Sequence, residues 1–338
     1  MVPLISVLMP VRNAAVTVAR AVESIRVQTW PDWELLAVDD GSTDGTREWL
    51  RAAAGADRRI RLLERPPEGL VAALNAGLAA ARGRLIARMD ADDESHPKRL
   101  AAQAAFLAAN PDLGVVGCLV DFGGDRRAQA GYALHVDWVN SLLTPEAIAL
   151  NRFVESPFAH PSVMFRRELV GRLGGYREGD FPEDYELWLR WLDAGVRMAK
   201  VPRMLLTWHD PPARLSRTDP RYDPEAFFRL KAFWLARWLR ANIGAPRKIL
   251  VWGAGRPTRK RAAWLKEQGV RITGYIDIDP KKTGRPIGGR QVLAVDGLPP
   301  PGEVFVLGYV ASRGARELIR GHLAARGYAE GGDFLMCA

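Results

Sequence analysis

The chain has 338 residues, is 48% hydrophobic and 26% charged, and carries a formal net charge of +9 at pH 7. That composition excludes a disordered or low-complexity chain, and the length suits two domains with a core in each. Two cysteines, Cys118 and Cys337, exclude a disulfide framework and a cysteine-rich zinc site, and the usage fits a reducing, cytoplasmic setting.

Forty of the 48 basic residues are arginine. Arginine makes planar, bidentate contacts to phosphate and carboxylate. The basic surface therefore suits nucleic acid, anionic lipid or a phosphorylated substrate, or is simply solvated. No apolar run reaches the roughly 18 residues a spanning helix requires. The opening MVPLISVLMPVRN lacks a basic region and a cleavage site, so it reads as a buried strand and not as a signal peptide.

Taken in chain order, residues 4–9 (LISVLM) predict a strand stopped by Pro10. Residues 17–27 turn helical, with Val18, Val22 and Ile25 on one stripe. A second strand over 34–38 ends in Asp39-Asp40-Gly41-Ser42, and a helix is expected from Thr43, capped by Ser42 or Thr43. A third strand covers 59–63. A helix over 70–82 stops at Gly83, and a fourth strand, 84–89, runs into Asp90. Alternation of this kind predicts an α/β, doubly wound sheet with ligands at the carboxyl ends of its strands. Further helices are expected over 97–109, 184–194 and 224–242, with a loop over 202–224. Ile243-Gly244-Ala245-Pro246 punctuates the chain. The domains are read as 1–223, a helical linker 224–244, and 245–338.

Asp90, Asp92 and Asp93 place three carboxylates within four residues. Such acids repel one another unless water or a cation relieves them. Hard oxygen ligands suit Mg²⁺ or Mn²⁺, and an exposed acidic turn is the plainer alternative. Glu183 and Asp184 open a helix marked by Leu187, Trp188 and Trp191. They fit an ordinary capping acid as well as a general base at a pocket rim.

At this point the residues carry a resemblance. The run ISVLMPVRNAAVTVARAVESIRVQTWPDWELLAVDDGSTDGT resembles the N-terminal half of the family 2 glycosyltransferases of GT-A fold. LNAGLAAARGRLIARMDADD, HPSVMFRRELVGRLGGYRE and PEDYELWLR follow in the family's order, and the match covers about residues 1–215. The resemblance implies a GT-A nucleotide-diphospho-sugar transferase fold with a mixed sheet. It implies transfer of a sugar from a nucleotide-diphospho-sugar to an acceptor hydroxyl with inversion, in surface or extracellular glycan synthesis, on a glycan or lipid-linked acceptor. Pro10 and Arg12 then line the base and ribose, and Asp40 reads the base. Asp90-Ala91-Asp92 matches the DXD motif, with Asp92 on Mn²⁺ or Mg²⁺ and Asp90 on the ribose or a metal-bound water. Asp184 matches the base, with Glu183 the second choice. His209 stands where some such enzymes place a further metal or diphosphate contact, and His160 lines the acceptor side. Arg214 and Arg217 are candidates for a diphosphate clamp. A non-catalytic nucleotide-sugar binding protein is the alternative on the same fold.

Beyond residue 244, KILVW leads into Gly253-Ala254-Gly255-Arg256-Pro257-Thr258, an incomplete G-x-G-x-x-G. The next strand, 270–278, ends in Asp277-Ile278-Asp279, and a strand over 303–310 precedes a helix over 313–326. This part resembles small Rossmann-like nucleotide-binding domains appended to sugar-modifying enzymes. Gly253, Gly255 and Asp277 are its candidate site. Packing, homo-oligomerisation and nucleotide-dependent oxidoreduction are its other readings. The helix EAFFRLKAFWLARWLRAN suits either a neighbouring domain or an anionic membrane surface. Nucleic acid is not an expected partner, because no recognised binding module accompanies the charge.

Overall fold

The computed structural model describes residues 3–211, 214–244 and 247–338. Ala245 and Pro246, which open the third segment expected above, lie outside the described residues. In chain order the elements are β1 (Ile5–Val11), α1 (Val18–Arg26), β2 (Trp33–Asp40), α2 (Thr46–Ala56), β3 (Ile60–Arg65), α3 (Leu70–Ala80), β4 (Leu85–Arg88), β5 (Glu94–Ser95), α4 (Arg99–Ala109) and β6 (Leu113–Phe122). They continue with α5 (Ala130–Ser141), α6 (Pro145–Asn151), β7 (Met164–Arg166), α7 (Glu168–Leu173), α8 (Glu183–Asp193), β8 (Arg197–Trp208), α9 (Leu215–Thr218), α10 (Pro224–Asn242), β9 (Lys248–Trp252) and α11 (Arg256–Glu267). The last are β10 (Ile272–Ile276), β11 (Val292–Leu293), β12 (Val304–Gly308), α12 (Ala315–Ala324) and β13 (Phe334–Met336). Two compact units result: residues 1–148, 157–179 and 183–218, and residues 149–156, 180–182 and 219–338.

The first unit holds a mixed sheet of order β3-β2-β1-β4-β7-β6-β8-β5. β1 to β4 are mutually parallel, β7 runs antiparallel to β4 and β6, and β8 is parallel to β6. β1 and β2 are buried along their whole length, as strands covered on both faces must be. One core packs Val18, Val22 and Ile25 of α1 against Val7 and Met9, and the other packs Trp188 and Trp191 of α8 with Phe165.

Several expectations are corrected. β1 runs through Pro10 to Val11 and does not stop there. The carbonyls of Leu4 and Leu8 accept Leu85 N and Met89 N, so even-numbered residues of β1 face β4. β4 ends opposite Leu8, so the missing N–H of Pro10 has no ladder partner to lose. The second helix starts at Thr46 after Gly45, whose φ is +86°, and not at Thr43. The stretch after Pro202 is strand as far as Trp208. The register jumps from Cys118↔Val201 to Leu119↔Met204, so Pro202 sits in a bulge where its lost donor is harmless.

The second unit holds a five-stranded, all-parallel sheet of order β11-β10-β9-β12-β13. α11 connects β9 to β10 and α12 connects β12 to β13. Among the described residues, the connection from β10 to β11 contains no helix.

Candidate functional site

β1, β2 and β4 are parallel neighbours, so Arg12, Asp40 and Asp90 all leave the sheet at one edge. The loops there are laced together. Asn13, at φ +49°, accepts Thr43 N at 2.9 Å, and Ser42 Oγ accepts Asn13 N at 3.0 Å. Gly41 is required, because a Cβ on it would lie 2.9 Å from the Pro67 ring. An open depression lined by Gly41, Ser42, Thr43, Arg65, Pro66 and Pro67 borders this edge.

Asp40 is buried. Its Oδ1 accepts Glu68 N at 2.8 Å and Gly69 N at 3.0 Å, and Arg12 Nη1 stands 3.5 Å from Oδ2. The carboxylate thus ties the start of α3 to the end of β2. Pro10 is buried inside β1. Asp39 pairs with Arg47 at 2.7 Å.

One oxygen each from Asp90, Asp92 and Asp93 lies within 4.8 Å of the others, and Ala91 is buried between them in sequence. Burial, followed by the charge of Asp90, pushes the Asp92 carboxyl up to about 6. Burial and the charges of Asp90 and Asp92 push Asp93 well above the usual carboxylate range. Asp93 Oδ1 accepts His209 N at 2.8 Å, while its buried Oδ2 has no hydrogen-bond partner among the described residues. Three hard oxygen donors, two of them disfavoured as bare anions and one with an orphaned oxygen, fit a divalent cation of the Mg²⁺ or Mn²⁺ type.

Arginines offset the cluster. Arg88, fully buried in β4, places Nη1 2.6 Å from Asp90 Oδ1. The Arg214 guanidinium lies 4.4 Å over the Trp208 ring and 5.4 Å over Tyr132, within the field of all three aspartates. Arg217 pairs with Asp210. Arg88 and Tyr176 are not among the expected site residues, and Asp93 is expected only as a member of the acidic run. An arginine inside the otherwise apolar stretch LIARM is the available signal for Arg88.

His209 does not join the three-aspartate group: its Nε2 lies 2.8 Å from Glu94 Oε1. His160 is buried, with Nε2 2.8 Å from the Tyr176 hydroxyl and Nδ1 3.8 Å from Glu183 Oε1. Burial and then Arg88 lower its pKa well below the ordinary value, so the ring is neutral. Glu183 is buried, whereas Asp184 is only partly covered and accepts Tyr185 N through Oδ1 at 2.7 Å. The Tyr176 hydroxyl feels Arg88, Glu183, Asp184 and Asp90 together. The N-terminus of α8 and the acidic turn after β4 therefore face one neighbourhood.

In the second unit, Gly253 has φ +109°, and the next strand ends one residue before Asp277. Asp277 is buried. Its Oδ2 accepts Ala254 N at 2.9 Å and its Oδ1 accepts Asp279 N at 2.9 Å, with Lys282 Nζ at 3.3 Å. The acid offered for a ribose is thus taken up by the chain's own donors, and Gly255 caps α11.

Comparison with known proteins agrees with this layout. The family model for glycosyl transferase family 2 matches residues 6–174, half of the chain. The provisionally named glycosyltransferase EpsE of Bacillus subtilis (strain 168) is 37% identical over 203 residues, covering 58% of this chain and 69% of that one. The O-antigen biosynthesis glycosyltransferase WbnJ of Escherichia coli is 28% identical over 243 residues, covering 70% and 89%. The mannosyltransferase PcManGT of Pyrobaculum calidifontis, solved with GDP-Man and Mn²⁺, superposes with a TM-score of 0.51 at 22% identity over 79% of this chain and 73% of that one. The chain belongs to glycosyl transferase family 2 and is a glycosyltransferase of GT-A fold.

Proposed function

We propose that the chain transfers a sugar from a nucleotide-diphospho-sugar to an acceptor hydroxyl by a single inverting displacement. The observation that carries this reading is the meeting of three carboxylate oxygens within 4.8 Å, beside Arg88 and the acids of α8. O-antigen synthesis, named for WbnJ, supports a role in surface glycan assembly.

Asp92, with Asp90 and Asp93, would hold a divalent cation, the ion present with PcManGT being Mn²⁺. When bound, that ion supplies Lewis-acid relief of charge on the departing diphosphate. Arg214, braced on Trp208 and Tyr132, adds a fixed positive charge on the same side. Asp40 immediately precedes Gly41 of the depression at the end of β2, with Arg12 3.5 Å from its carboxylate, and a base and ribose would be held there.

Asp184 is the base of choice over Glu183, because it is the less buried of the two. Its carboxylate takes the acceptor's proton as the acceptor oxygen bonds to the anomeric carbon. The bond from that carbon to the phosphate oxygen breaks, and the nucleoside diphosphate leaves with the electron pair. His160 and Tyr176, joined at 2.8 Å, stand behind the α8 terminus and keep a neutral dipole there.

A thermal-shift panel of nucleoside diphosphates and their sugars, with and without Mn²⁺, tests the reading. A matching donor at 100 times its Kd stabilises by about 2.7 kcal/mol. Asp92→Asn is expected to abolish the Mn²⁺-dependent shift. Asp184→Asn is expected to keep the shift and lose turnover. A shift that survives Asp92→Asn, or full turnover in Asp184→Asn, overturns the assignment.

A further inference from the structure

The second unit presents a face that its parallel sheet does not use. α10 and α11 lie side by side: Lys260 pairs with Glu225, and the Arg229 guanidinium stands 5.7 Å over the Trp264 ring. These contacts advance one turn on both helices together, so the helices run parallel. α10 buries Leu230, Trp234, Leu235 and Leu239. Its opposite stripe, Arg229, Phe233, Arg237 and Arg240, repeats at helical spacing and is exposed, Phe233 to 50%.

Charge on these two helices is one-sided. They carry nine Lys or Arg residues against Glu225 and Glu267. Glu225 is already paired, and only Lys231 among the nine is buried, its Nζ donating to the carbonyls of Val154 and Cys337. A second copy docking through the same face would set like charge on like charge, so a symmetric dimer there is disfavoured. Phosphate-rich surfaces are the complementary partners. An exposed phenylalanine with an arginine one turn away on each side matches a helix lying at a headgroup boundary, whereas a nucleic-acid backbone needs the charge alone.

We propose that the α10–α11 face docks on an anionic lipid surface. Arg229, Arg237 and Arg240 meet the headgroup phosphates, and Phe233 enters the apolar boundary. The proposal rests on the second unit alone and stands or falls apart from the transfer chemistry.

Co-sedimentation of the full chain with vesicles tests it. Binding is expected to phosphatidylcholine vesicles containing 30% phosphatidylglycerol at ~50 mM NaCl, to fall steeply at ~500 mM, and to be absent from pure phosphatidylcholine. Arg229→Glu/Arg237→Glu/Arg240→Glu should lose at least tenfold in binding, and Phe233→Ser several-fold, with the circular dichroism spectrum of each unchanged. Arg58→Glu/Arg127→Glu/Arg172→Glu makes the same change in net charge at exposed residues of the first unit and should bind within twofold of the parent. Equal loss in both triple variants, undiminished binding by Phe233→Ser, or no binding to the anionic vesicles overturns the proposal. Preferential capture of duplex DNA by the same arginines also overturns it.

Discussion

Arg88 Nη1 lies 2.6 Å from Asp90 Oδ1, and the guanidinium has no exposure worth the name. Burial disfavours its charge, but Asp90 above all restores it. Asp90 keeps 28% exposure, so losing Arg88 leaves a partly hydrated acid rather than a stranded one. Arg88→Met is therefore expected to cost about 1–3 kcal/mol in urea unfolding at pH 7. A cost under about 1 kcal/mol would show that the pair carries no such weight.

Glu34 of β2 pairs with Ser6 of β1 and accepts from Ser6 Oγ at 2.6 Å, Arg61 Nη1 at 2.7 Å and Arg82 N at 2.8 Å. Burial raises its pKa, but these bonds outweigh burial and bring it to about 2 from 4.5. A depressed carboxylate contributes stability above its unfolded pKa and loses it as pH falls toward the folded value. The gap in unfolding free energy between the parent and Glu34→Gln should be about 3 kcal/mol at pH 7. It should shrink between pH 4.5 and 2, and a gap that stays constant over that window rules the linkage out.

Lys200 in β8 shows the reverse sign. Its ammonium is buried 5.1 Å over the Phe158 ring and donates to the Val139 carbonyl, and burial lowers its pKa to about 7. The unfolded chain then binds the extra proton between about pH 7 and 10.5, so stability rises with pH across that range. Lys200→Met should stabilise the fold by a few kcal/mol near pH 6, an order-of-magnitude figure from the same linkage. The advantage should fade by pH 10, and a melting temperature lowered at pH 6 would contradict this account.

Tyr176→Phe removes the hydroxyl that stands 2.8 Å from His160 Nε2. Loss of a buried bond to a neutral ring costs about 1–3 kcal/mol. Because burial and Arg88 keep His160 neutral, its ring resonances should not titrate between pH 6 and 8. A midpoint near 6.5 in a nuclear magnetic resonance titration would refute the neutral ring.

Periodicity made the first half of the fold legible. The runs LISVLM, ELLAV and RLIARM are apolar enough to declare buried parallel strands, and Asp39-Asp40 and Asp90 follow the last two at the sheet edge. β6 to β8 escaped because their partners are distant in sequence: β7 has three residues, and β8 carries Pro202 in mid-strand. The acidic turn was legible as a motif, and Arg88, two residues before Asp90, was within reach of a local reading. Arg214 was not, because it comes near the turn from a distant segment and rests on the Trp208 ring. Gly253 and Asp277 were legible as a candidate pair, yet the sequence could not reveal that Asp277 accepts Ala254 N.

The proline in β1 has a wider effect. Position 10 faces β4 yet carries no amide proton, so it adds no bond that would hold the chain to β1 once the ladder has stopped at Arg88. The acidic turn starts where that ladder stops, and its three carboxylates stay outside the sheet.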